Sequence, residues 1–318
     1  MILVVTTKER RNTHAKLERE AAVRVRVISY DELLARSRPY RATYVFTDLD
    51  RLPAWRVHKA AIRYRELRAA GLRALNDPAL VLGRFGLLRG LHRSGLNGFN
   101  AYRVEELADA PRWPVFLRME GDHKDPVSGL LHNQGELERA ILESVDRGVP
   151  RSALLIIEYA AEPVRPDLYR KLSVFRVGDR LLGYTCAHDD NWLVKHGKPG
   201  IAPPELYDEE YRFVATDVFG SAMLPAFELA GIEYGRVDFG LVGGQPQVYE
   251  INTNPNVQLH PAPSPAPMRN RSTALFAERY LEAMAAIDTG RQSVPMSLKA
   301  RGAVRRARSV VRRMARRD

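Results

Sequence analysis

The stretch YGRVDFGLVGGQPQVYEINTNPNV, residues 234–257, decides the fold. It reads as a pair of strands around a glycine reversal. Val237, Phe239 and Leu241 alternate with Arg236, Asp238 and Gly240, the period-two pattern of a strand with one apolar and one polar face. On the second strand Glu250 and Asn252 share a face, because side chains two apart point the same way. Gly243 and Gly244 supply the backbone freedom for the reversal. With the hairpin closed there, Asp238 is predicted opposite Glu250, and the oxygens of Asp238, Glu250 and Asn252 converge. Such a set suits a hard cation, Mg²⁺ carrying phosphates being the common case. The bland alternative is a solvated hairpin face with Asn252 in the following turn.

Around this hairpin the composition sets bounds. A length of 318 residues leaves room for two domains or one large composite domain. Hydrophobic residues at 45% and charged residues at 27% are ordinary for a soluble globular enzyme. The single cysteine, Cys186, excludes an intrachain disulfide and a Cys zinc cluster, in keeping with a reducing, cytoplasmic setting. In the opening MILVVTTKERR the apolar run is too short for a signal segment and its positive charge follows the run, so a buried first strand is expected. No apolar span is long enough to predict a transmembrane helix.

The net charge of +11 is uneven: residues 298–318 hold nine Lys or Arg and one Asp, which is +8, leaving +3 for the rest. Val304, Ala307, Val310, Val311 and Met314 recur there at helical spacing. The tail reads either as a basic amphipathic helix for an anionic membrane or nucleic acid, or as an unfolded solubilising end.

Along the chain, residues 1–5 and 44–47 read as short parallel strands, 55–70 as a helix ended by Gly71, and 79–94 as a helix after the turn signal Asn76-Asp77-Pro78. This makes 1–95 a small α/β domain. Residues 113–119 (WPVFLRM) and 153–159 (ALLIIEY) read as strands, 136–146 as a helix, and 172–177 with 180–185 as a hairpin. Residues 211–229 read as one long helix and 274–287 as a final one, before a break at 290–295. The Pro-rich 261–267 is expected to be extended. The domains expected are thus 1–95, 96–290 and a basic tail 291–318.

Laid in this order, RVDF…YEINTNP, LIIEY, PVFLR and NDP resemble the ATP-grasp superfamily, the fold of carboxylate–amine ligases such as glutathione synthetase and D-alanine–D-alanine ligase. The resemblance spans roughly 40–287 and implies an α/β (α+β) ATP-grasp domain behind a small N-terminal α/β domain. It implies that Asp238, Glu250 and Asn252 hold two Mg²⁺ ions, or Mn²⁺ in their place, that bridge the phosphates of ATP. Asn254 matches a position facing the acceptor or its phosphorylated intermediate, and Arg236, Lys195 and Asn254 are the catalytic candidates. By the same resemblance Glu158 accepts from the adenine amino group, and the backbones of Tyr159 and Ala160 meet the ring edge. Asp167 faces the ribose, Lys171 reaches a phosphate, and Lys195 in NWLVKHG meets the γ-phosphate.

The chain departs from the family pattern in two places. Nucleotide-binding lysines are replaced by Arg84 and Arg118, which keep the charge but add a planar fork. The flap EGDHKDPVSG, residues 120–129, has glycines only at its ends, so His123 and Lys124 become phosphate candidates in place of backbone amides. Cys186, near His188 in GYTCAHDD, reads as a packed core thiol rather than a nucleophile. The activity implied is a Mg²⁺-dependent ligase that activates a small-molecule or peptide carboxylate as an acyl phosphate for attack by an amine. The alternatives are a kinase that releases a phosphorylated product and a nucleotide-binding module acting through the basic tail.

Overall fold

The computed structural model describes residues 1–106, 111–122, 125–259, 261 and 263–289. These fall into two compact units, one formed by Met1–Ala79 with the chain from Leu281, the other by Leu80–Tyr280. The division at Ala79 lies ahead of the expected boundary near residue 95. The helix that follows places Leu88 in a cluster with Phe99, Leu155 and Ile157, and so belongs to the second unit.

The first unit is a parallel sheet of β1 (Ile2–Thr6), β2 (Val25–Ser29), β3 (Thr43–Phe46) and β4 (Ala74–Leu75), in the order β2-β1-β3-β4. β1 and β3 are buried along their whole length, which is why they read as continuous apolar runs without alternation. Helices α1 (Ala15–Glu20), α2 (Tyr30–Ala35) and α3 (Ala54–Ala69) supply the connections. Ser29 and Glu32 start α2 with a capping box.

The second unit begins with α4 (Arg84–Arg93) and two antiparallel sheets follow. The smaller has β5 (Ala101–Arg103), β6 (Val115–Met119) and β7 (Leu154–Glu158) in the order β5-β7-β6. One face packs Val115, Leu117, Leu154 and Ile156 against Leu137 and Ile141 of α5 (Gln134–Asp146). The larger has β8 (Pro163–Arg165), β9 (Leu168–Val177), β10 (Arg180–Asp189), β11 (Tyr234–Val242) and β12 (Gln245–Asn252), in the order β10-β9-β11-β12 with β8 beside β9.

The segment predicted as one helix over 211–229 is two, α6 (Pro204–Thr216) and α7 (Gly220–Leu229). Asp217 ends α6 in the left-handed conformation, φ 50°. Its carboxylate is pinned there by the backbone amide of Gly183 at 2.7 Å and by the guanidinium of Arg279. These helices cover one face of the large sheet, where Phe219 packs on Phe239. On the other face Phe175 meets Phe276 and Tyr280 of α8 (Pro267–Ile287). Cys186 is 2% exposed, and burial pushes its thiol well up, as expected of a core thiol. The basic tail from 291 and the flap residues His123 and Lys124 lie outside the described residues.

Candidate functional site

The site is laid out by the β11–β12 hairpin. Its turn is Gly243-Gly244 with φ of +56° and +77°, flanked by the pair Val242–Gln245. Both central residues are left-handed, as a two-residue reversal matching strand twist requires. A β-bulge between Asp238 and Phe239 then shifts the register by one residue and sets Asp238 opposite Glu250 and Arg236 opposite Asn252, so the predicted juxtaposition is present. β9 adds Ser173, paired with Asp238, and Lys171 two residues earlier on the same face. One polar face thus crosses three strands.

Asp238 is 1% exposed, yet its carboxylate is charged by design of its surroundings. Oδ1 accepts from Ser173 Oγ and from Arg236 Nε, each at 2.8 Å, and Oδ2 accepts from Arg236 Nη2 at 2.9 Å. Lys171 Nζ stands 3.5 Å from Oδ2. Burial opposes the charged form, but Arg236, Lys171 and the hydroxyl of Ser173 outweigh it and hold the carboxyl below the usual Asp range. Arg236, expected as a catalytic group, is therefore committed to Asp238 as a bidentate fork, the natural outcome of an Arg two residues away on one strand face.

Glu250 is paired with Arg84, whose Nη2 donates to Oε2 at 2.7 Å. Arg118 on β6 faces the same pair: burial, then the neighbouring Arg84, pulls its guanidinium down to about 10, opposed by Glu250. Its Nε is buried with no hydrogen-bond partner. Asn252 Oδ1 accepts from the amide of Asn254 at 2.8 Å, so these two asparagines form an Asx turn out of the strand. Lys171 also donates to the carbonyl of Lys195 at 2.8 Å, and Lys195 Nζ reaches Asp125 Oδ1 at 3.0 Å. The cation expected at the γ-phosphate is thus on a flap carboxylate.

The oxygens of Asp238, Glu250 and Asn252 are the hard donors that Mg²⁺ takes, so the residue types fit such an ion. Among the described residues no group of three or more His, Cys, Asp and Glu gathers to hold a metal. A cation here would rest on two carboxylates and a carboxamide, completed by phosphate or water oxygens.

The residues expected at the adenine ring and the ribose carry contacts of their own. Glu158 is 6% exposed and its oxygens accept from the amides of Asn100 and Arg112, both at 2.9 Å, and from Tyr102 Oη at 3.0 Å. These bonds tie Glu158 to β5 and to the backbone at Arg112. The Tyr159 amide donates to Pro114 at 2.9 Å, and the Ala160 carbonyl accepts from Tyr249 Oη at 2.8 Å. Asp167, expected at the ribose, is exposed with φ 55° in the two-residue turn between β8 and β9. A short polar side chain is favoured there for backbone reasons alone.

Four participants escaped sequence reading: Ser173, Tyr249, Asn97 and Trp192. Ser173 was legible in principle, two residues from Lys171 on a strand. Asn97 caps the edge of β12 by exchanging two 2.8 Å bonds with the backbone of Val248, which no local pattern announces. Trp192, in the loop that carries Lys195, packs against Phe116 at 5.0 Å and Tyr159 at 5.6 Å between ring centroids.

No family model matches the chain, and no curated protein matches it. Solved structures do. The D-alanine–D-alanine ligase from Bacillus anthracis superposes with a TM-score of 0.51 at 13% identity, covering 90% of this chain and 96% of that one. The same enzyme complexed with ATP gives 0.50 at 12%, over 89% and 95%. The VanG D-Ala:D-Ser ligase from Enterococcus faecalis gives 0.50 at 12%, over 90% and 98%. At such identities the likeness is one of fold, and the fold of this chain is ATP-grasp.

Proposed function

We propose that the chain is an ATP-dependent carboxylate–amine ligase whose phosphoryl chemistry is handled on the polar face of β9, β11 and β12. The observation that carries this reading is a single arrangement: Asp238, Glu250 and Asn252 on one face, with Arg84, Arg118, Lys171 and Arg236 about them. Four cations stand about Asp238 and Glu250, with the flap carboxylates Asp122 and Asp125 also acting on Arg118, and guanidinium forks so placed suit a bound polyanion. In the reaction a carboxylate oxygen of the acceptor takes the γ-phosphoryl group with loss of ADP, and an amine then displaces phosphate to form the amide.

Each residue has a definable share. Asp238, Glu250 and Asn252 would hold Mg²⁺, which when bound neutralises phosphate oxygens and aligns the phosphoryl group. Arg236, Lys171 and Ser173 keep Asp238 deprotonated and fixed in orientation. Arg118 and Arg84 present forks suited to phosphate oxygens. Lys195 and Asn254 lie on connections rather than strands, where Lys195 would meet the γ-phosphate and Asn254 the acceptor or its phosphorylated intermediate. The acids and amines that this reading calls for are amino acids, peptides and small carboxylic acids.

The test is stimulated ADP release across a panel of such acids and amines, with Mg²⁺ and ATP. A ligase releases ADP and phosphate only with acid and amine together, and hydroxylamine traps the activated acid as a hydroxamate. A stable phosphorylated product from one substrate would instead make the chain a kinase. Nucleotide binding without turnover under every combination would make it a binding module. Asp238→Asn and Glu250→Gln are each expected to lower turnover by a factor on the order of a hundred or more; unchanged turnover in both would remove the metal assignment.

A further inference from the structure

The carboxylates of the site are held in unlike ways. Asp238 is 1% exposed and fixed by Ser173 and by both arms of Arg236. Glu250 is 28% exposed and pairs across elements with Arg84, the first residue of α4, through a contact of 2.7 Å. Arg84 is itself only 9% exposed, and its second arm lies 3.4 Å from the carbonyl of Asp122 at the base of the flap. Arg118 beside it has a buried Nε with no hydrogen-bond partner, although Glu250, Asp122 and Asp125 lie near its charge.

We propose that Arg84 is a latch on Glu250 that makes cation binding depend on the polyphosphate. This rests on the ATP-dependent reading above. While Arg84 pairs with Glu250, one of the two carboxylates meant for a divalent cation is occupied, and a guanidinium stands where the cation would approach. A triphosphate offers Arg84 a better bidentate acceptor and gives the buried Nε of Arg118 a partner. Arg84 then leaves Glu250, and the carboxylate becomes available to the ion that accompanies the nucleotide. A compact ammonium at the same place forms no comparable fork, so the latch depends on arginine at position 84. Its consequence is that a free divalent cation binds the empty chain weakly and the cation–nucleotide pair binds strongly.

Mn²⁺ binding, followed by electron paramagnetic resonance on the full-length chain with and without a non-hydrolysable ATP analogue, tests this. Arg84→Met is expected to tighten Mn²⁺ alone by about tenfold. Arg118→Met removes an equal charge nearby without touching the pair, and should tighten it by less than about threefold. The mutual enhancement between Mn²⁺ and the analogue should shrink in Arg84→Met by the same factor that Mn²⁺ alone gains, since coupling is reciprocal. Arg84→Lys, which retains charge with little risk to folding, should fall between wild type and Arg84→Met. Equal tightening in the two Met variants, or none in Arg84→Met, overturns the latch and leaves the ATP reading standing. A wild-type chain that binds no Mn²⁺ with the analogue overturns the ATP reading and the latch together.

Discussion

At the scale of single residues, the site depends on places where a side chain is missing. A Cβ on Gly240 would lie 2.1 Å from Tyr249 Oη and 2.9 Å from its ring carbon, so the Tyr249 ring crosses β11 over a glycine on its way to the Ala160 carbonyl. Gly240→Ala is expected to push the ring away and cost about 2 kcal/mol, combining overpacking with a lost hydrogen bond. Urea unfolding measures it, and a double-mutant cycle assigns it: in a Tyr249→Ala background the extra cost should fall below about 0.5 kcal/mol. An undiminished cost in that background would place the strain elsewhere. The facing of Asp238 and Glu250 is the expected one, but a two-glycine turn with Val242 opposite Gln245 counts back to Asp238 opposite Tyr249, and the β-bulge after Asp238 is what brings Glu250 there. The crossing of Tyr249 was not legible, because it follows from the same bulge, which leaves Tyr249 between Val248, opposite Phe239, and Glu250, opposite Asp238. The commitments of Glu158 and Asp167 were likewise invisible, since their partners or backbone angles are set by other segments.

At the scale of elements, long strands and helices were legible by period, and their ends and interruptions were not. The break between α6 and α7 follows from Asp217 meeting Gly183 and Arg279, partners from β10 and α8 that no helical periodicity contains. β10 carries a second such consequence. His188 is 4% exposed, its Nε2 has no hydrogen-bond partner, and it faces Arg170 of β9, Tyr207 and Glu209 of α6 and Arg269 of α8. Burial first, then Arg170 and Arg269, pull its imidazole down to about 4. The unfolded chain takes up this proton near pH ~6.5, so between there and about 4 the unfolded state binds more protons. Stability therefore falls as pH drops through that window and is unaffected by this group above it. The loss should total about 2 kcal/mol, discounted because Arg and Glu partners can relax. Urea unfolding at a series of pH values should show His188→Gln with a flatter acid limb than wild type. Identical slopes in the two would remove His188 as the source.

At the scale of the whole molecule, the fold class and the order of its parts were readable from residues 40–287, while the division into units was not. Residues 84–93 sit next in sequence to the first sheet, and their apolar face was indistinguishable from one that packs there; Leu88 instead joins Phe99 and Leu155 in the second unit. Charge divides along another line. Of the net +11, residues 298–318 hold +8, and the remaining chain is nearly balanced, so two electrostatic roles are separable by truncation. No helix among the described residues is long and apolar enough to cross a membrane. Basic residues near an anionic surface each contribute on the order of 1 kcal/mol, falling off within a Debye length, so nine of them would suffice for reversible attachment. A chain ending at Thr289 keeps every described element and every residue of the polar face. It should retain nucleotide turnover and lose sedimentation with phosphatidylserine-containing vesicles at low salt, whereas the full chain should bind them and be released as salt rises. If both chains sediment alike, the attachment belongs to the folded body and the tail has no share in it.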